Sequence, residues 1–191
     1  MTEPQHPSPP AGSAAPGQVL ATGLPGCLVR PWQAADKADL VLHADNRKVW
    51  RNLTALFPHP YTAADADFWI ALVHQPSNNR HLAIEWQGRA VGGIGIIAGD
   101  DVHCRTGQLG YWLGEAHWGR GIATAAARAM VAHARAELSF ARLEARVYAW
   151  NPASGRVLEK AGFAREAVLR RSVFKDGELI DSTLYAMVFD A

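Results

Sequence analysis

The segment Trp118-Gly119-Arg120-Gly121-Ile122-Ala123-Thr124 separates an apolar stretch ending at Leu113 from an alanine-rich run. Beyond it Ile122, Ala126, Met130 and Ala134 recur at helical spacing beside Ala123, Ala127, Val131 and Leu138, while Arg128, Arg135 and Glu137 fall on other faces. The pattern predicts a strand, a glycine-rich turn, and then a helix whose small-residue face lies close on a sheet. Such a turn offers bare backbone N–H groups and the positive end of a helix dipole, which suits a phosphate, although glycines also serve turns for steric reasons alone.

Around that turn the chain reads as one domain. Cys27 to Arg30 is a short strand stopped by Pro31, and a helix carrying Leu40, Val41 and Ala44 follows. A stiff loop, Phe57-Pro-His-Pro-Tyr61, leads to Thr62 as N-cap and a helix through Phe68, Ile70, Leu72 and Val73. Two apolar runs joined at Gln87-Gly88 form a hairpin, and another strand spans about Cys104 to Leu113. After the central helix, Leu143, Ala145 and Val147 alternate with Glu144, Arg146 and Tyr148 as a strand with two unlike faces. Asn151 as N-cap, Pro152 at N1 and Gly162 at the C-terminal cap bracket a last helix, and a final hairpin turns at Asp176-Gly177. The expected fold is α/β, a mixed sheet with helices on both faces.

Composition narrows the function. The 191 residues can bury about 70% of their extended surface in one core. Lys and Arg number 19 against 18 Asp and Glu, a net charge of +1, too even for electrostatic capture of nucleic acid or an anionic membrane, so any anion site is local. Cys27 and Cys104 form no metal or redox spacing, which points to a reduced cytosolic protein, and the 8 histidines show no HExxH pattern, so no metal is expected. No apolar run reaches the roughly 20 residues of a membrane span, and the N-terminus lacks the build of a secretory signal. Residues 1–22, rich in Pro, Ser, Gly and Ala, read as a disordered tail or a Pro-rich ligand for a partner, leaving 23–191 as the domain.

Three phosphate cradles compete for the glycine turn. A P-loop requires Lys-Ser/Thr where Arg120-Gly121 stands, which leaves no magnesium hydroxyl. A dinucleotide turn requires an acid at the end of the next strand, and Tyr148 to Asn151 supplies none. The third cradle resembles that of the GNAT acyl-CoA N-acyltransferases, and more closely their RimJ/RimL-like branch. The blocks that carry the resemblance run in the family's order: Leu28-Val-Arg-Pro-Trp32, Phe57-Pro-His-Pro-Tyr-Thr62, Val91-Gly-Gly-Ile-Gly95, Leu109-Gly-Tyr-Trp-Leu113, Trp118 to Thr124, and Asn151-Pro-Ala-Ser154 with Leu158-Glu-Lys-Ala-Gly-Phe163. Trp118 stands where the general family pattern has Gln or Arg, a departure that is familiar from this branch.

The resemblance implies a single-domain GNAT fold with a mostly antiparallel sheet of six or seven strands and a splayed pair holding acetyl-CoA. It implies an N-acetyltransferase that passes acetyl directly to an amine in a ternary complex, with a protein N-terminal α-amine as one acceptor; a non-catalytic acetyl-CoA sensor is the alternative. The pyrophosphate would rest on Trp118, Gly119, Arg120, Gly121, Ile122, Ala123 and Thr124, with Arg156 and Lys160 reaching the nucleotide end. Backbone near Trp112 and Leu113 would hold the thioester carbonyl, and Asn151 would cap the helix beside the cofactor. No tyrosine follows Asn151, so Ser154 takes the place of the acid that protonates the leaving thiolate, with helix capping as its plainer role. For the base the candidates are Glu85 and Asp181, either of which can equally be an ordinary carboxylate; the acid that branch members often carry after the sixth strand is missing at Ser172-Val173-Phe174. Phe57, His59 and Tyr61 would cover the acceptor, an amine-bearing small molecule or a protein N-terminus, on a cytoplasmic monomer or homodimer.

Overall fold

Gln87 and Gly88 at φ 50° and 81°, and Asp176 and Gly177 at 56° and 78°, make the two tight hairpins that the sequence predicts. The structure, a computed structural model, describes residues 18–189. In chain order the strands are β1 (Leu20–Ala21), β2 (Cys27–Pro31), β3 (Arg80–Trp86), β4 (Arg89–Ala98), β5 (Thr106–Leu113), β6 (Arg142–Tyr148), β7 (Ala164–Lys175) and β8 (Glu178–Val188). The helices are α1 (Lys37–Ala44), α2 (Arg47–Trp50), α3 (Ala63–Val73), α4 (Ile122–Glu137) and α5 (Pro152–Lys160). The strands form one sheet in the order β1-β2-β3-β4-β5-β6-β8-β7, antiparallel throughout except between β5 and β6.

Helices cover both faces. Under α4 and α5, Ile122, Ala126 and Met130 pack on Ile84, Ile96, Leu143 and Leu158; on the other face α1 and α3 bury Trp32, Leu40, Tyr61 and Ala66. The capping signals hold. Thr62 Oγ1 accepts from the Asp65 N–H and Asp65 returns the bond, Asn151 Oδ1 accepts from the Ser154 N–H at 3.3 Å, and Gly162 takes φ 100° after α5.

Two boundaries are corrected. The sheet has eight strands, because Leu20–Ala21 pairs with β2 and Leu20 joins the core. This strand lies inside the stretch 1–22 assigned to the tail; residues 1–17 of that assignment lie outside the described residues. A strand of two residues carries too little alternation to be read from sequence. Likewise β5 begins at Thr106 rather than Cys104, since a short 3-10 turn occupies Asp101–His103. Among the described residues no helix is long and apolar enough to cross a membrane.

The feature that positions the site is a gap. β5 and β6 pair only through Thr106↔Arg142, Gly107↔Leu143 and Gln108↔Glu144, and then part. β6 stays with β8 as far as Tyr148↔Ser182, while β5 stays with β4 as far as Leu113↔Gly92. The second half of β5 therefore has one hydrogen-bonding edge open toward β6.

Candidate active site

Which groups line that edge follows from register. The Gly114 N–H donates to the Val91 carbonyl at 2.8 Å, and the β4–β5 ladder has no register shift. Backbone groups alternate sides along a strand, so Gly110 and Trp112 turn their N–H groups to β4, and Tyr111 and Leu113 turn theirs into the gap. Of the two residues near which the sequence reading expected a thioester contact, Leu113 turns its N–H into the gap and Trp112 does not; Tyr111 does.

At the top of the gap the chain enters α4 through Gly119 at φ 74° and Gly121 at φ 78°, the latter being the residue that caps the helix. Both values lie in the left-handed region, which glycine adopts without strain. A Cβ added at either position would meet nothing within 4 Å, so the backbone stands open to a ligand. Ala123 and Thr124 follow in the first turn, whose N–H groups have no partners within the helix, and Arg120 is exposed beside them. Ile122 contributes backbone only, because its side chain is fully buried. This concave set of N–H groups at a dipole end fits a pyrophosphate. Trp118 does something different from a cradle side chain. Its indole N–H donates to the Leu113 carbonyl at 2.7 Å and ties the turn back to the end of β5.

Across the gap stands the first turn of α5. Asn151 caps it, and Ser154 faces β5: the Tyr111 hydroxyl lies 2.8 Å from Ser154 Oγ and 2.9 Å from the Ser154 carbonyl oxygen. Burial pushes the Tyr111 pKa up to about 12, against the opposing effect of the Ser154 bond and with a further rise from Tyr185, so Tyr111 is a proton donor throughout the neutral range. Sequence reading quoted Tyr111 within its block but gave it no role. The alternation of β5 could have put its side chain on the α4–α5 face; only the packing of α5 shows what it touches there. Arg156 and Lys160 lie exposed on α5, and the Lys160 carbonyl accepts two bonds from Arg128.

The opposite face of β5 carries an aromatic cluster. A Cβ at Gly93 would come within 2.7 Å of the Trp112 indole nitrogen, so a bare position on β4 lets Trp112 lie flat across the sheet. Phe57 meets Trp112 edge-on at 5.8 Å and Tyr61 at 5.1 Å. Tyr61 is buried, and burial raises its pKa to about 12, so its ring is part of the core beneath the loop. His59 stacks on Trp50 and sits 3.5 Å from Asp45. The β7–β8 turn closes over this loop: Asp176 accepts two bonds from Arg47, and Lys175 Nζ lies 3.6 Å from the centre of the Trp50 ring.

Neither carboxylate singled out as a base faces the gap. Glu85 accepts from Arg30, which also grips Asp36 through two bonds where α1 begins, and its strand β3 is separated from β5 by β4. Asp181 accepts the Arg171 N–H at 2.8 Å, where β7 bulges between Leu169 and Val173 and Arg171 takes φ 49°. Both brace local structure. A sequence shows the acid but not the cation or bulge that claims it.

Residues 27–164 match the family model described as an acetyltransferase (GNAT) domain. The chain is similar to the probable N-acetyltransferase YjcK of Bacillus subtilis (strain 168), 30% identical over 84% of this chain and 92% of that protein. It is also 31% identical to the ribosomal-protein-serine acetyltransferase of Escherichia coli (strain K12), over 51% of this chain and 56% of that one. Among solved structures, the ribosomal L7/L12 alpha-N-protein acetyltransferase RimL in complex with coenzyme A superimposes with a TM-score of 0.78 at 19% identity, over 91% of this chain and 99% of its own.

Proposed function

Because this chain belongs to the GNAT acetyltransferase family, in its RimJ/RimL-like branch, and is an enzyme that works with acetyl-CoA, we propose that it moves acetyl to an amine by direct attack, with a protein N-terminal α-amine as one acceptor class. The observation that carries this reading is the β5–β6 gap joined to the Gly119–Gly121 turn. Acetyl-CoA supplies an activated thioester; the remaining duties fall to the chain.

The N–H groups of Tyr111 and Leu113 are available to the thioester carbonyl, where they would favour the negative charge that grows on its oxygen. The amine nitrogen forms the new N–C bond, the C–S bond breaks, and the electron pair leaves on sulfur. Ser154 is the donor proposed for that sulfur. Its hydroxyl sits in the first turn of α5, where the dipole favours negative charge, and Tyr111 can give its own proton to the Ser154 oxygen as Ser154 turns to the thiolate. A thiol with a pKa of about 8.5, by analogy with cysteine, leaves with modest help. The attacking α-amine, with a pKa of about 7.7 to 8.0, is partly neutral near pH 7 and sheds its last proton to water. A cytoplasmic enzyme, as monomer or homodimer, is consistent with this chemistry.

The test is thiol release from acetyl-CoA, with mass spectrometry of products, across N-terminal peptides, lysine peptides, polyamines and amino acids. Product at an α-amino group supports the proposal. Binding of acetyl-CoA without turnover of any amine would favour the sensor alternative.

A further inference from the structure

The roof over the aromatic cluster on β5 carries charge and hydrogen-bonding capacity that the chain itself leaves unused. Arg47 is held by Asp176, Lys48 by Glu115, and Asp45 by His59 and the Tyr61 N–H. Among the described residues, Arg51 and Lys175 have no carboxylate within ion-pair distance. Lys175 is only 5% exposed, and its one hydrogen bond, to the Thr54 carbonyl, is stretched to 3.5 Å. Burial pulls its pKa down, with Asp176 opposing.

The guanidinium carbon of Arg51 lies over the Trp150 ring, 4.2 Å from its centre, and Arg51 Nε is buried with no hydrogen-bond partner. The indole nitrogen of Trp150 is in the same condition, as is Asn52 Oδ1, whose amide nitrogen is committed to the Lys48 carbonyl. Unmade hydrogen bonds of buried groups cost stability, and stacking on an aromatic ring compensates a cation's charge but not its N–H edge. These groups come from three segments joined by contact. Lys175 at the end of β7 touches Trp50, Arg51 follows Trp50, and Arg51 touches Trp150, which immediately precedes the Asn151 cap beside Ser154.

We propose that Arg51, Trp150 and Lys175 form the subsite for a carboxylate carried by the acceptor amine, so that the enzyme selects amines bearing a carboxylate close by over amides and polyamines. This rests on the acetyltransferase reading above. The two N–H donors and the lysine answer a carboxylate's lone pairs and charge, and Asn52 Oδ1 accepts an N–H from the same molecule. A free amino acid and a peptide with an acidic first residue both supply this chemistry.

The test compares kcat/KM for matched pairs: glutamate against its α-amide, and Asp-Ala-Ala against Asn-Ala-Ala, with spermidine alongside. The acid of at least one pair is expected to exceed its partner by at least about tenfold, a difference of roughly 1.4 kcal/mol; which pair does so separates the two sources. Arg51→Gln is expected to bring the acid down to the amide's value and leave the amide unchanged, and Lys175→Met to do the same if its melting temperature stays near that of the parent. Equal rates within both pairs, or a variant that slows acid and amide alike, would overturn the subsite.

Calorimetry on the CoA-loaded protein with N-acetylglutamate gives a readout free of turnover. Binding that Arg51→Gln removes supports the subsite even if no amine reacts, in which case it is the acetyltransferase reading that fails. No binding to the parent overturns the subsite while leaving that reading intact. Tighter binding of inorganic phosphate at the same place would overturn the carboxylate assignment.

Discussion

The Tyr111 hydroxyl has two acceptors on a single residue, the Oγ and the carbonyl oxygen of Ser154, at 2.8 and 2.9 Å. One phenol proton can serve either. While it rests on the carbonyl, Ser154 can donate back to Tyr111; when Ser154 donates to a thiolate, Tyr111 can swing to Oγ. Ser154→Ala is expected to lower kcat by roughly tenfold to a hundredfold, the lower range for loss of a general acid from a good leaving group, with acetyl-CoA affinity nearly unchanged. Tyr111→Phe should lose less, and the double variant no more than Ser154→Ala alone, since the two act as one unit. Steady-state rates beside calorimetry read this; an unchanged kcat in Ser154→Ala removes the acid role.

Gly121→Val puts a branched side chain at φ 78°, at a local cost of about 1–2 kcal/mol, and fills the open space over the turn. The expected result is a folded protein whose Kd for acetyl-CoA rises by at least about tenfold. Retained affinity would mean that the phosphates bind elsewhere.

Trp118→Phe keeps the ring and removes the bond to the Leu113 carbonyl. A hydrogen bond of about 1 kcal/mol translates into a roughly fivefold weaker Kd for acetyl-CoA, with little change in kcat. A variant that lowers kcat while binding normally would show that the indole serves the chemistry instead.

Glu85→Gln and Asp181→Asn are each expected to retain kcat per folded molecule. Glu85→Gln should cost stability, about 1–3 kcal/mol, because the largely buried Arg30 loses a charged partner. Denaturant melts read the cost, and a large fall in kcat at normal stability in either variant would restore that carboxylate as the base.

Tyr111 also predicts alkaline behaviour. Its pKa is raised from 10 to about 12, so the folded state holds a proton that the unfolded state releases between those values. This contribution is complete below pH 10 and is lost as pH climbs toward 12, up to roughly 2.7 kcal/mol for two pH units. Melts between pH 9 and 12 should therefore fall less steeply for Tyr111→Phe than for the parent. Parallel curves would place the alkaline loss elsewhere, Tyr61 being the next buried phenol.

Elements with strong local signals were legible in the sequence. Thr62 and Asn151 capped their helices, Gln87-Gly88 and Asp176-Gly177 made their turns, and the Ile122, Ala126 and Met130 stripe went under the sheet. Such signals act within a few residues and need no partner from afar. The partners of Glu85 and Asp181 were illegible for the opposite reason: Arg30 stands 55 residues from Glu85, and Asp181 serves a bulge in another strand.

By itself the sequence determined the order of the longer strands and helices, the family, and the glycine turn that opens α4, because glycine spacing and hydrophobic period are properties of neighbouring residues. Tertiary structure alone decided which edge of β5 is open, since that depends on where β6 leaves it; that Tyr111 rather than Trp112 faces the gap, since that is a matter of register with β4; and that Lys175, beside a turn where a lysine would ordinarily be solvated, is buried against Trp50. Each is a relation between segments brought together only by folding, with no periodicity along the chain to announce it.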